Sequence, residues 1–208
     1  MSAFDPKAHL RGMTERMHRL LVNDLNALPP DRSNASPGGC ARGALNLVAE
    51  CAMVNRFVAD YLTSGEAKRL PPEQRNAHLA SFDTPEKALA YLDAETRHLL
   101  AVIDGLDEAT LGDVSDQPLG RPMSRFAVAE LPAVHMMYHD GQLNYLQTLY
   151  GDDQNHWAET KPRKAASAPS PLAARPHPRL TSSPPPLPGT RLRVLGEGKE
   201  RREATRKG

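Results

Sequence analysis

The feature that most constrains this chain is the three- and four-residue spacing of its apolar side chains, which recurs in four long segments. That spacing places apolar residues along one face of an α-helix. No run of alternating Val, Ile or Thr residues reaches the length of a strand. Four amphipathic helices without a strand signal predict an all-α protein built as a four-helix bundle. The segments run over residues 13–28, 41–62, 84–105 and 124–150.

The ends of these segments carry residues that stop or start helices. Pro29 ends the first segment, because a proline ring lacks the amide donor that a continuing helix needs. Gly65 ends the second segment, and Thr84 caps the third at its N-terminal end. Pro132 lies inside the fourth segment, so that helix either kinks or begins there. The two later linkers have about twenty residues each, which permits crossover connections between helices.

The C-terminal quarter of the chain differs from the rest in composition. Residues 161–208 hold nine of the nineteen prolines and no aromatic residue, and their net charge is +9, whereas residues 1–160 carry −8. Such a segment cannot bury enough apolar surface to offset the entropy lost on ordering. We therefore expect a bundle domain over residues 1–157 and a disordered, basic, proline-rich tail over 158–208. A solvated tail is the simplest interpretation; an arm for an anionic partner, a ligand for proline-binding domains and an altered reading frame are the alternatives.

The overall composition excludes several classes of protein. Charged residues make up 25% and the net charge is +1, and no apolar run approaches the roughly 18–20 residues that span a bilayer. The N-terminus lacks the basic and apolar regions of a signal peptide. Cys40 and Cys51 do not make a disulfide framework, and free thiols fit a cytoplasmic protein. Nucleic acid is not an expected partner, since a bundle of charge −8 repels phosphate.

The strongest local signal is a pair of histidines in the fourth predicted helix. His135 and His139 are about one helical turn apart, so both imidazoles leave the same face and can bind one ion. Gln142 lies nearly one turn beyond His139, where its amide can bond a ligating ring nitrogen or a metal-bound water. Two histidines at this spacing also occur by chance, so a metal site requires a further ligand from another helix.

The pattern His135-x-x-x-His139-x-Gly141-Gln142 resembles the fourth-helix motif of the DinB-like superfamily. The stretches HRLLVNDLNALPPD and CARGALNLVAECAMVNRFVADYL are similar to the first two helices of that family. The resemblance covers roughly residues 10–157. It implies a four-helix bundle that holds a divalent metal ion, with a histidine of the second helix as the usual third ligand.

The chain departs from that ligand set, because no histidine occurs between His18 and His78. Against the family's second helix, Glu50 takes the position of the third ligand. Two imidazoles and one carboxylate would leave a coordination position open, and the set suits Zn, Ni, Fe or Mn. Asn46 is a weaker candidate, and a surface carboxylate paired with an arginine is the alternative for Glu50. Cys51 follows Glu50 and could approach the site, but we interpret it as a buried structural thiol.

The resemblance implies two functions. Members of the superfamily include thiol-dependent S-transferases and a mycothiol-dependent maleylpyruvate isomerase. We therefore expect a metal-dependent enzyme acting on a small-molecule substrate, either a transferase that activates a low-molecular-weight thiol or a hydrolase that activates water. The alternative is a non-catalytic, stress-associated bundle with a structural metal or none. A homodimer is the one protein assembly that we expect could form. The sequence does not identify a catalytic residue.

Overall fold

The computed structural model describes residues 4–66, 68–116 and 120–157, and in these ranges the chain is helical. Four long helices form the predicted bundle, so the all-α, four-helix-bundle expectation is confirmed. The helices are α1 Pro6–Ala27, α2 Ala44–Ser64, α3 Pro72–Ala80, α4 Pro85–Asp104 and α5 Arg125–Leu149. The predicted tail and its boundary stay predictions, because residues 158–208 lie outside the described residues.

The long helices do not pack in the order of the sequence. Helix α2 lies against α4 and α5, and α1 lies against the same two helices, so α1 and α2 are diagonal neighbours. Helices α4 and α5 are diagonal as well. The connections from α1 to α2 and from α4 to α5 therefore cross the bundle. Of the two long linkers that permit a crossover, the one before α5 crosses, whereas the one between α2 and α4 joins neighbouring helices. This arrangement places α2 directly beside α5.

Two connections contain structure that the sequence pattern did not indicate. The short helix α3 lies in the linker before α4, and only Leu79 of its residues is buried. An antiparallel pair of two-residue strands, β1 Val114–Ser115 and β2 Met123–Ser124, precedes α5. Strands of this length cannot show an alternating pattern, and α3 is too polar to show a helical one.

Capping residues set the helix ends. Helix α1 begins earlier than predicted, because the Asp5 carboxylate accepts from the amide of Ala8 at 2.8 Å and Pro6 fits the first helical position. The predicted cap Thr84 accepts from the amide of Lys87 at 3.4 Å. Helix α5 begins at Arg125 and contains Pro132, so it does not begin at that proline.

The buried apolar residues form two clusters along the bundle. Burial of each such leucine or methionine contributes roughly 1.5–3 kcal/mol. One cluster includes Leu21, Leu45, Val48, Cys51, Leu92, Met136 and Leu143. The other includes Leu10, Val58, Leu99, Ile103 and Val128. Within the described ranges, no helix has both the length and the apolar character needed to cross a membrane.

The segment after α5 packs back along α1. The indole nitrogen of Trp157 donates to the Asp24 carboxylate at 3.2 Å, and the Asn23 amide donates to the carbonyl of His156 at 3.2 Å. Asp24 is fully buried, so these contacts join the end of the bundle domain to its interior.

Candidate metal centre

The two histidines of α5 face α2 in the interior of the bundle. The ring centroids of His135 and His139 lie 4.5 Å apart. The Sγ atom of Cys51, on α2, and one ring nitrogen of each histidine all lie within 4.8 Å of one another. Among the described residues, these three side chains form the group with the spacing of metal ligands. The structure thus brings the two predicted histidines together with a cysteine.

Glu50 lies at the edge of this group and contacts one of its members. Its Oε2 atom is 3.3 Å from Nε2 of His139, and the same oxygen accepts from the guanidinium of Arg42. Two ligand atoms of one tetrahedral ion, each about 2.0–2.1 Å from it, lie about 3.3 Å apart. The contact with His139 therefore has the separation of two ligands. Glu50 thus makes both of the alternative contacts expected from the sequence, one with an imidazole and one with an arginine.

Gln142 fixes the orientation of His139. Its side-chain carbonyl accepts from Nδ1–H of His139 at 2.7 Å, and the histidine is only 1% exposed. With Nδ1 bound to Gln142, Nε2 is the nitrogen that can bind a metal once it has lost its proton; in the metal-free site Nε2 donates that proton to the Glu50 carboxylate. That nitrogen is the one that faces Glu50. This is the arrangement in which a second residue orients a ligating imidazole.

His135 carries an unsatisfied nitrogen. Its Nδ1 atom is buried and has no hydrogen-bond partner among the described residues. Burial, and then the charge of His139, lower the pKa of His135 to about 4, so the ring is neutral at neutral pH. A neutral imidazole is the form that binds metals, and a buried nitrogen without a partner costs free energy. The orphaned nitrogen and the donor set therefore fit a divalent ion.

The two α2 residues at the site, Glu50 and Cys51, differ in charge. The hydrogen bond from His139, and then the hydrogen bond and charge of Arg42, lower the pKa of Glu50 to about 2 against the cost of burial, so its carboxylate is ionised. Burial, and then the charge of Glu50, raise the pKa of the Cys51 thiol well above its ordinary value. Without an ion, the site therefore holds the Glu50 carboxylate, the Cys51 thiol, a neutral His135 ring and a His139 ring that donates to Glu50.

Other possible ligands in the bundle lie in different contacts. The side-chain carbonyl of Asn46 accepts from Arg42 at 3.4 Å, so Asn46 contacts the arginine. His18 pairs with Asp93 at 2.7 Å, and His9 pairs with a glutamate at 3.3 Å. Arg42 was not singled out from the sequence, because it precedes α2 and no helical spacing links it to Glu50.

A buried pair of aspartates lies next to the group, and no sequence pattern indicates it. Asp140 follows His139 on α5, and Asp24 faces it from α1; both are at least 98% buried. Burial, and then the hydrogen bond and charge of Asp24, raise the pKa of Asp140. Gln147 donates to the Asp24 carbonyl at 2.9 Å. The two aspartates lie far apart in the sequence, Asp24 on α1 and Asp140 on α5, so no local spacing reveals the pair.

Asp140→Asn is expected to change how stability depends on pH. Because folding raises the pKa of Asp140, the folded chain holds this proton more tightly than the unfolded chain does. The free energy of unfolding therefore falls as the pH rises above about 4, until the folded-state carboxyl has lost its proton. The variant should flatten this decline in urea denaturation of the metal-free protein. Asp31→Asn, at an exposed carboxylate, should keep the wild-type slope; an equal slope in the Asp140 variant would contradict the assignment.

Both a sequence family and several solved structures are similar to this chain. A sequence model of the DinB superfamily matches residues 9–143 of the chain. No curated protein matches it. A conserved protein from Enterococcus faecalis superposes with a TM-score of 0.57 at 17% identity, covering 71% of this chain and 98% of that one.

Two further solved structures share the architecture. An uncharacterized protein from Clostridium difficile 630 superposes with a TM-score of 0.58 at 8% identity, covering 71% of this chain and 99% of that one. The mycothiol-dependent maleylpyruvate isomerase superposes with a TM-score of 0.54 at 14% identity, covering 69% of this chain and 63% of that one. At these identities the likeness shows the fold alone.

Proposed function

Because this chain belongs to the DinB superfamily, we propose that it is a divalent-metal-dependent enzyme that acts on a small molecule. The proposed ligands are His135, His139 and Glu50, and Gln142 orients His139. The observation that carries the proposal is the 3.3 Å separation between the Glu50 carboxylate and the Nε2 atom of His139, beside a second, neutral imidazole with an orphaned nitrogen.

The residues around the site suit a nucleophilic reaction. A divalent ion lowers the pKa of a nearby thiol or water, so it supplies a nucleophile at neutral pH. Gln142 holds His139 in one tautomer, and the buried helices α2 and α5 keep the imidazoles in place. The Arg42 side chain is 41% exposed beside Glu50, where its guanidinium can attract an anionic group of a substrate.

A low-molecular-weight thiol is the proposed co-substrate, which would make the protein an S-transferase. The support is the fold shared with an enzyme that depends on mycothiol. Hydrolysis by activated water needs the same residues and is the second reaction considered. Zn, Ni, Fe and Mn all accept imidazole and carboxylate ligands, so these ligands alone do not choose the metal.

The proposal predicts turnover with a thiol and an electrophile. The zinc-loaded full chain, given a bimane electrophile with mycothiol, bacillithiol or glutathione, should form the conjugate at least about tenfold faster than the uncatalysed reaction. His135→Ala should return the rate to background, because it removes a ligand. The matched control is His98→Ala, at a 43% exposed histidine on α4. Fluorogenic esters test hydrolysis in parallel, and background rates in every assay of the zinc-loaded protein would overturn the enzyme proposal.

A non-catalytic bundle with a structural metal is the second candidate function. The observation that favours it is the enclosure of the group, since His139 is 1% exposed and Cys51 is fully buried. A structural ion contributes directly to folding, so its removal by a chelator should lower the melting temperature by several degrees. Bound metal with that loss of stability and without turnover would favour this function.

The remaining proposals concern location and assembly. Cys40 and Cys51 are both free thiols, which supports the cytoplasm as the proposed compartment. A homodimer stays a prediction, which light scattering would test. Val134, Tyr138 and Tyr145 are exposed on α5, and this is the surface where we would expect the contact. Nucleic acid is not a proposed partner.

A further inference from the structure

Cys51 faces the two imidazoles of α5 from the neighbouring helix α2. Its Sγ atom and a nitrogen of each histidine lie mutually within 4.8 Å, and the cysteine is fully buried. A zinc ion with a Zn–S bond of about 2.3 Å and a Zn–N bond of about 2.0–2.1 Å places these ligand atoms about 3.6 Å apart. The observed spacing is therefore close enough for one ion to be bound after small side-chain adjustments.

We propose that Cys51 binds the ion as a thiolate together with His135 and His139, so that the site is selective for a thiophilic metal such as Zn²⁺. The inference rests on the metal site of the proposed function. It revises the interpretation of Cys51 as a purely structural thiol. When the metal–sulfur bond forms, the S–H bond breaks and its proton leaves to solvent.

This ligand set gives Glu50 a different role from that of the buried ligands. Cys51 and the two histidines supply three donors, which leaves the fourth tetrahedral position for a carboxylate or a substrate. Glu50 lies at that edge, 18% exposed, and its Oε2 atom already contacts both His139 and Arg42. The carboxylate can therefore leave the ion without losing all of its partners, because Arg42 remains bound to it.

The donor from α2 also bears on which metal the site binds. Helix α2 offers oxygen and sulfur at the adjacent positions Glu50 and Cys51. A thiolate is a soft ligand that favours Zn²⁺ or Cu⁺ over Mn²⁺, while a carboxylate has the opposite preference. The identity of the donor from α2 thus determines which class of metal the site retains.

Cobalt spectroscopy tests the ligand directly. The purified full chain is loaded with Co²⁺, whose thiolate complexes show a sulfur-to-cobalt charge-transfer band in the near ultraviolet. We expect this band in the wild type and in Glu50→Gln, and its loss in Cys51→Ser, while the weaker visible bands show that Co²⁺ stays bound. Cys40→Ser is the matched control, because Cys40 is the exposed free cysteine and should not change the spectrum. Cys51→Ala is measured beside the serine variant, so that one poorly folded variant does not decide the result.

The outcomes separate this inference from the proposed function. A wild type that binds Co²⁺ stoichiometrically without the charge-transfer band, or a band that persists in Cys51→Ser, would overturn the thiolate ligand and leave the metal site intact. A wild type that binds neither Co²⁺ nor Zn²⁺ would overturn both. In competition measurements, Cys51→Ser should weaken Zn²⁺ binding by at least about tenfold and change Mn²⁺ binding much less; equal losses for both metals would contradict the inference.

Discussion

His139→Ala is expected to abolish metal binding, lowering the metal content of the purified protein from about one ion per chain to near zero. The reason is geometric, because the Nε2 atom of His139 contacts the carboxylate from α2 and its ring lies 4.5 Å from that of His135. Its removal takes one imidazole from the site and leaves the carboxylate with Arg42. Elemental analysis of the wild type and the variant, purified in parallel, measures the change.

Two further variants show whether a loss of metal is specific to the proposed ligands. His98→Ala removes an exposed imidazole from α4 and should keep the wild-type metal content. Glu50→Ala should retain less metal than the wild type but more than His139→Ala, because the two imidazoles remain. Circular dichroism of each variant shows whether the bundle is intact. A folded His139 variant with a full complement of metal would disprove the site, as would a wild type that stays metal-free after reconstitution.

Gln142→Leu is expected to lower the affinity for Zn²⁺ by about 10–100-fold, the usual effect of removing the partner of a ligating imidazole. The 2.7 Å hydrogen bond from Nδ1 of His139 to Gln142 holds the ring in the tautomer that leaves Nε2 free. Leucine keeps the side-chain size but removes the acceptor. Competition with a chromophoric chelator measures the affinity.

The conservative variant Gln142→Glu separates orientation from packing. Glutamate retains an oxygen at the same position, so it should keep the affinity within a few-fold of the wild type. Gln154→Leu, at an exposed glutamine beyond α5, controls for loss of an amide elsewhere. If the leucine and glutamate variants lose affinity equally, Gln142 acts through packing, and its role in holding the tautomer is wrong.

The bundle could be predicted because its signal is local. Apolar residues at helical spacing determine which faces are buried, and His135 and His139 share a face of α5 by virtue of that spacing alone. The short helix α3 and the β1–β2 pair could not be predicted from periodicity. Each is held mainly by contacts with the long helices, so its own residues carry little pattern.

The third ligand could be limited to a short stretch of α2 but not to one side chain. Adjacent residues on a helix point about 100° apart, so the choice between Glu50 and Cys51 depends on the rotation of α2 within the bundle. Packing against α4 and α5 determines that rotation. Arg42 lies before α2 and contacts Glu50, and Asp24 contacts Asp140 across the bundle. Neither contact follows from spacing within one helix.

The diagonal placement of α1 and α2 has a consequence for the order of events during synthesis. Helix α2 reaches its neighbour α5 only after almost the entire bundle has been translated, so a nascent chain that ends before α5 presents no pair of imidazoles. We expect the ion to enter a chain that has already collapsed, and therefore not to nucleate folding. Refolding rates of the full chain should be the same with a chelator or with zinc, although the unfolding rate should fall when zinc is bound.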